Sequence, residues 1–114
     1  MEADMTVRHI VLVKFKSELS EEEIAPLWQE LHAIEGKVDG LGAICAGRSE
    51  SPEKIERGYM HGFTVDFRDW EALAAYQEHP DHRALGAKLV ANAQGGIDGI
   101  LVFDLEIAAQ PQGA

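Results

Sequence analysis

The chain has 114 residues, the length of one domain with a core of its own. Lys and Arg number 10 against 20 Asp and Glu, and the resulting charge of −10 leaves no basic surface for nucleic acid or an anionic membrane. An apolar content of 46% excludes a disordered chain, and a single cysteine, Cys45, excludes an intramolecular disulfide and a four-cysteine zinc site.

The start, Met1-Glu2-Ala3-Asp4-Met5, is acidic and lacks the positive opening of a secretory signal. The longest apolar stretches, near Ile10–Val13 and Ile97–Phe103, are too short to span a bilayer. With the lone cysteine, these features lead us to expect a cytoplasmic protein.

Val7–Phe15 is rich in β-branched residues and predicts a first strand. Val7, His9, Val11, Val13 and Phe15 share one face, and Arg8, Ile10, Leu12 and Lys14 the other. Both faces are mainly apolar, so cover is expected on both sides. Ser20 with Glu23 forms a capping box ahead of Ile24, Leu27, Trp28, Leu31 and Ile34, which predicts an amphipathic helix ending near Gly36. Pro26 falls in its first turns. Leu41–Ser49 reads as a weaker strand whose Gly42 and Gly47 point to an edge or a bulge. A polar loop, Glu50–Gly58, precedes a third strand, Tyr59–Phe67.

Asp69 is placed to cap a helix from Trp70, with Leu73 and Tyr76 inward. Pro80 ends or kinks it at His79. A further helix runs from Pro80 or Asp81 to about Ala91, with His82, Leu85 and Leu89 on one side. Gly95-Gly96 makes a turn, and Ile97–Ile107 closes the domain as a fourth strand. Ala108–Ala114 reads as a frayed tail. The order β-α-β-β-α-β predicts a ferredoxin-like α+β fold over residues 5–107, with a four-stranded antiparallel sheet and helices on one face. The other apolar face needs cover, and a second copy of the chain is the economical source.

Local signatures fall on this frame. His9 precedes Ile10-Val11-Leu12-Val13-Lys14-Phe15-Lys16, and Gly58-Tyr59-x-His61 opens the third strand. Phe67-x-Asp69 leads to Tyr76-x-x-His79-Pro80-x-His82, and Val102-Phe103-Asp104 lies in the last strand. With the order of elements, these resemble the stress-responsive α/β-barrel domain (Dabb) family. The resemblance spans residues 5–107, and the Tyr-x-x-His-Pro-x-His run is its most specific part. It implies ferredoxin-like subunits paired sheet to sheet as a homodimeric α/β barrel, each often with a cavity between sheet and helices. Most members have no known reaction. A plant member is a cofactor-free polyketide cyclase working by intramolecular aldol condensation, and its catalytic Tyr and His match Tyr76 and His82. Its cavity histidines match His9 and His61. The chain departs from that member at Gln77 and Glu78 and over Ala91–Gly96, so the substrate does not carry over.

Tyr76 and His82 are six residues apart, about 120° around an unbroken helix, and would not meet without the break at Pro80. The helix dipole opposes protonation of a histidine near a helix start, and a neutral imidazole can act as a general base. A tyrosine hydroxyl can hydrogen-bond a carbonyl oxygen as it becomes an enolate. The pair therefore reads as a catalytic candidate for proton abstraction next to a carbonyl, and no cofactor is expected. The competing reading makes Tyr76 a core aromatic and His82 a capping or core polar residue.

His9, Val11, Val13, Trp28, Leu31, His61 and Phe63 are the candidate lining of a pocket for a small apolar ligand. The bland alternative gives His9 and His61 structural hydrogen bonds and leaves Trp28 and Leu31 in the core. His79 and His82 straddle the helix break, so no metal site is expected. His79 is expected to favour the end of the preceding helix through its dipole, and Cys45 to be inert packing. No dinucleotide, P-loop or serine-hydrolase motif is present. Three readings stay open: a carbonyl-directed enzyme or binder, a non-catalytic stress or assembly dimer, and a cofactor-free monooxygenase.

Overall fold

A computed structural model describes residues 5–108 of the chain. The sheet has the strand order β2-β3-β1-β4, with β1 (Met5–Val13), β2 (Leu41–Arg48), β3 (His61–Phe67) and β4 (Ile100–Ala108). Its three strand pairs are antiparallel. Three helices, α1 (Glu21–His32), α2 (Trp70–Glu78) and α3 (Pro80–Asn92), complete the ferredoxin-like fold expected from the sequence. No helix among the described residues is long and apolar enough to cross a membrane.

β1 is central, and its residues alternate as the pleat requires. Val7, His9, Val11 and Val13 are buried, while Arg8 is exposed and Ile10 and Leu12 are half-buried. On β3 the buried set is His61, Phe63, Val65 and Phe67. Ile24, Leu27, Leu31, Leu73, Leu85 and Leu89 close the core from the helices.

The helix ends follow local chemistry. In the capping box, Ser20 Oγ accepts from the Glu23 N–H at 3.1 Å and the Ser20 N–H donates to Glu23 Oε1 at 2.9 Å. Asp69 Oδ1 accepts from the Ala72 N–H at 2.9 Å. α1 stops at His32, short of Gly36, and tight turns carry the chain on through the buried Ile34. Pro26 lies inside α1 without ending it.

Several strand limits differ from the expected ones. β1 starts at Met5 and ends at Val13, and Phe15 makes only an isolated bridge to Ala93. β3 starts at His61, because the Tyr59 N–H turns back to the Glu56 carbonyl and Gly58 has a φ of 92°. The bulge foreseen in β2 lies between Leu41 and Ile44, and β2 is an edge strand. Gly95 and Gly96, at φ 76° and 67°, lead into a single 3₁₀ turn, Gly96–Gly99, which removes Ile97 from β4. β4 runs on through Ala108, the first residue of the expected tail; residues 109–114 lie outside the described residues.

The helices cover one face of the sheet. On the other, Leu12 pairs with Leu101, Ile10 with Phe103 and Arg8 with Leu105. Leu101, Phe103 and Leu105 are 41%, 54% and 42% exposed. Cys45, paired with Thr64, is exposed there too, so it is not packed as expected.

Gly99 joins the 3₁₀ turn to β4, and its carbonyl accepts from the Lys14 N–H at 2.7 Å. A Cβ at Gly99 would lie 2.5 Å from the Gln94 carbonyl oxygen. Gly99→Ala is therefore expected to destabilise the fold by about 1–3 kcal/mol, as a lowered midpoint in urea unfolding.

Candidate functional site

The break between α2 and α3 builds the site. Pro80 has no N–H and keeps His79 out of the helical region, at φ −65° and ψ 136°. His79 then serves both helices. Its N–H donates to the Tyr76 carbonyl at 3.1 Å, closing α2, and its Nδ1 accepts from the Asp81 N–H at 3.1 Å, opening α3. His79 thus stands at the end of α2, as expected, and its ring is in addition the N-cap of α3.

Across this corner the Tyr76 and His82 rings lie 4.5 Å apart, tilted by 54°. His82 sits in the first turn of α3, and its Nδ1 is 3.0 Å from the Gln77 carbonyl oxygen. A carbonyl can only accept, so Nδ1 carries the proton and Nε2 is the basic atom of the neutral ring. Burial pushes the His82 pKa below the ordinary histidine value, partly opposed by this hydrogen bond; His9, Arg83 and His79 lower it further.

Tyr76 is fully buried, 5.1 Å from the Phe67 ring and 5.8 Å from His9. Burial pushes its hydroxyl up to about 12, so at neutral pH it is a neutral donor. That hydroxyl has no hydrogen-bond partner, alone in this among the buried side-chain polar atoms of the described residues. Such an atom costs about 1–3 kcal/mol of stability.

Both residues line a cavity of about 240 Å³ between the sheet and α3. His9, Val11 and Phe63 contribute from the sheet, and Leu85, Gly86 and Leu89 from α3. Ile97 and Val102, 67% and 54% exposed, stand at its mouth. His9 Nδ1 is 2.6 Å from Asp104 Oδ1, where an ionised carboxylate fixes the proton on Nδ1.

Of the sequence candidates, the fold brings Tyr76, His82, His9, Val11 and Phe63 to this cavity and leaves four outside it. His61 also faces the helix side, but the register sets Val13 opposite it and Val65 opposite His9. The two histidines are therefore four residues apart along the sheet, about 13 Å. His61 Nε2 instead meets Glu21 Oε2 at 2.7 Å, and its ring lies against Phe15. Trp28 packs edge-on against Phe15 and Phe63, and Leu31 and Val13 are fully buried core residues. The contacts of Asp104 with His9 and of the Gln77 carbonyl with His82 leave no signal in the sequence. Asp104 stood in a recognised signature, but only strand pairing shows that it faces His9.

The model of the stress responsive A/B barrel domain family matches residues 7–107. The chain belongs to that family. A stress-response A/B barrel domain-containing protein of Arabidopsis thaliana is 31% identical over 103 residues, 90% of this chain and 91% of the relative. Olivetolic acid cyclase of Cannabis sativa is 26% identical over 82 residues, 72% of this chain and 81% of that protein. Among solved structures, a dimeric ferredoxin-like protein of unknown function from Jannaschia sp. matches with a TM-score of 0.83 and 33% identity. That match covers 90% of this chain and 99% of the other.

If the Tyr76 hydroxyl serves a ligand rather than the fold, its removal relieves an unsatisfied group. Tyr76→Phe is expected to leave stability unchanged or raise it by about 1 kcal/mol, measured by urea unfolding.

Proposed function

We propose that this protein binds a small, mainly apolar carbonyl compound, of polyketide or aromatic type, in the Tyr76–His82 cavity and removes a proton next to its carbonyl without a cofactor. The observation that carries the reading is the buried Tyr76 hydroxyl, unpartnered beside a neutral histidine and a largely apolar cavity. A carbonyl oxygen is the acceptor this hydroxyl lacks. The family relative named olivetolic acid cyclase supports a carbon-skeleton reaction in the same fold.

In the proposed step, His82 Nε2 takes the proton from the carbon next to the carbonyl. The electrons of that C–H bond move to the carbonyl oxygen, and the Tyr76 O–H donates to the oxygen as negative charge develops. If the substrate carries a second carbonyl in reach, the enolate carbon attacks it and a C–C bond forms. The His82 imidazolium then returns its proton to the new alkoxide, and the enzyme ends as it began. Tyr76 stays protonated throughout, as a hydroxyl pushed up to about 12 should. An inert stress or assembly protein has no use for this cavity, and the Tyr76 hydroxyl within it weighs against that reading.

The assay is deuterium exchange next to the carbonyl of an aromatic ketone such as acetophenone, followed by NMR in heavy water. His82→Ala is expected to reduce exchange to the solution background, and Tyr76→Phe to slow it by about 10²-fold or more. Exchange should also fall as pH drops, along a limb lying below pH 6.5, because the base works only when neutral and burial lowers its pKa. Full activity in His82→Ala would remove the assignment.

The same proposal includes a homodimer formed through the open sheet face, in the cytoplasm. The dimeric Jannaschia structure supports the pairing, and so does the row of exposed apolar side chains on β4. Sedimentation at micromolar concentration should give twice the chain mass, and Phe103→Glu, at a site already half exposed, should shift it to monomer. A single-chain mass for the unaltered protein would sink the dimer.

A further inference from the structure

Gly86 lies in the middle of α3, where glycine is the poorest helix former after proline. Glycine is usually required either by a positive φ or by a crowded Cβ position, and Gly86 shows neither. It is absent from the positive-φ residues, and a Cβ built on it meets nothing within 4 Å. Elsewhere the requirement is visible: Gly62 and Gly99 would drive a Cβ to 2.8 Å and 2.5 Å from backbone oxygens. Gly36 and Gly47 also have open space, but Gly36 has a φ of 82° and Gly47 borders the groove along the outer face of β2.

What distinguishes Gly86 is its place. His82, Gly86 and Val90 stand at i, i+4 and i+8, in one row along α3, and all three line the cavity. Gly86 is thus one turn from the imidazole, and the space a side chain would fill there opens beside His82. At the other end, Phe63 closes the cavity with the Trp28 ring edge-on against it at 6.0 Å, so a ligand has no room to grow that way. Growth is open along α3 toward Ile97 and Val102 at the mouth.

We infer that Gly86 is the size-determining residue of the site: its missing side chain lets the helix backbone serve as a wall for a planar ring, and the ligand class is a ketone of one or two fused aromatic rings. A cavity of about 240 Å³ with an open mouth has room for a ligand of that size. This inference rests on the reading of the cavity as a carbonyl site. Backbone approach to a ligand is a known use of glycine. Here it also leaves α3 without a better helix former at that position.

The test compares the unaltered protein with Gly86→Ala and Gly86→Leu, titrated calorimetrically with acetophenone and with 2-acetonaphthone. The unaltered protein should bind both. Gly86→Leu should weaken 2-acetonaphthone by about tenfold or more and acetophenone much less. Gly86→Ala should raise the urea midpoint and weaken 2-acetonaphthone to an intermediate degree. If Gly86→Leu does not fold, Gly86→Ala decides alone: an unchanged affinity for 2-acetonaphthone, or a lowered urea midpoint, overturns the inference. Variants that bind both ketones like the unaltered protein overturn the role of Gly86 and leave the carbonyl site standing. Failure of the unaltered protein to bind either ketone removes the carbonyl site, and the role of Gly86 with it.

Discussion

A proline has no N–H to give, and its ring crowds the residue before it. At Pro80 these two facts turn what would be one long helix into two. Without the corner, Tyr76 and His82 would point about 120° apart on a continuous helix. With it, His79 adopts an extended backbone, closes α2 with its N–H and opens α3 with its ring. Tyr76 and His82 are then the last inward residue of one helix and the first of the next, with rings in contact. Two further effects depend on the same corner. The Gln77 carbonyl, left near the end of α2, fixes the His82 tautomer, and the start of α3 adds a dipole unfavourable to protonation.

The sheet supplies the rest of the site through its central strand. β1 is paired on both edges, so His9 has Val65 on one side and Asp104 on the other. That gives a buried imidazole an acceptor and holds its ring against Tyr76. β4, at the sheet edge, is covered less well by the helices, because α3 ends and the chain must cross back through the Gly96–Gly99 turn. The gap left there, between α3 and β4, is the mouth of the cavity. One irregular connection therefore decides both where the cavity opens and which apolar side chains stand at it.

The two faces of the molecule do different things for stability. On the helix side, alternating apolar residues and inward leucines make a continuous core, and the Tyr76–His82 cavity interrupts it. There a tyrosine hydroxyl is kept from water with nothing to bond, and a helix carries a glycine with no backbone need for one. Both are small losses for the isolated fold, and both lie within one cavity. Local rules broken together at one place are what a ligand site leaves behind in a stable domain. On the outer side, β1 and β4 present apolar residues to solvent beside a shallow groove along β2 and β3, a pattern suited to a partner.

The order of elements, the capped helix starts, the break at Pro80 and the family were legible in the sequence because each is written in neighbouring residues. Ser20 with Glu23, Asp69 before Trp70 and His79 before Pro80 act within one turn of chain. Their geometry follows from local hydrogen bonds and sterics. Strand ends were less legible. Apolar β-branched runs such as Tyr59–Phe67 or Ile97–Ile107 continue past the point where pairing stops, and turns at Gly58 and Gly96 trim them. Of the candidate site, Tyr76 and His82 could be paired from the chain alone. The partner of His9, the separation of His61 from His9, and the burial of Trp28 against Phe63 could not. Those depend on strand register and on which residues pack across the core, and a shift of a single residue in pairing would reverse every face. Sequence thus determined which side chains the site had to work with, and tertiary structure decided which of them meet, because contacts between distant residues are set only when the sheet closes.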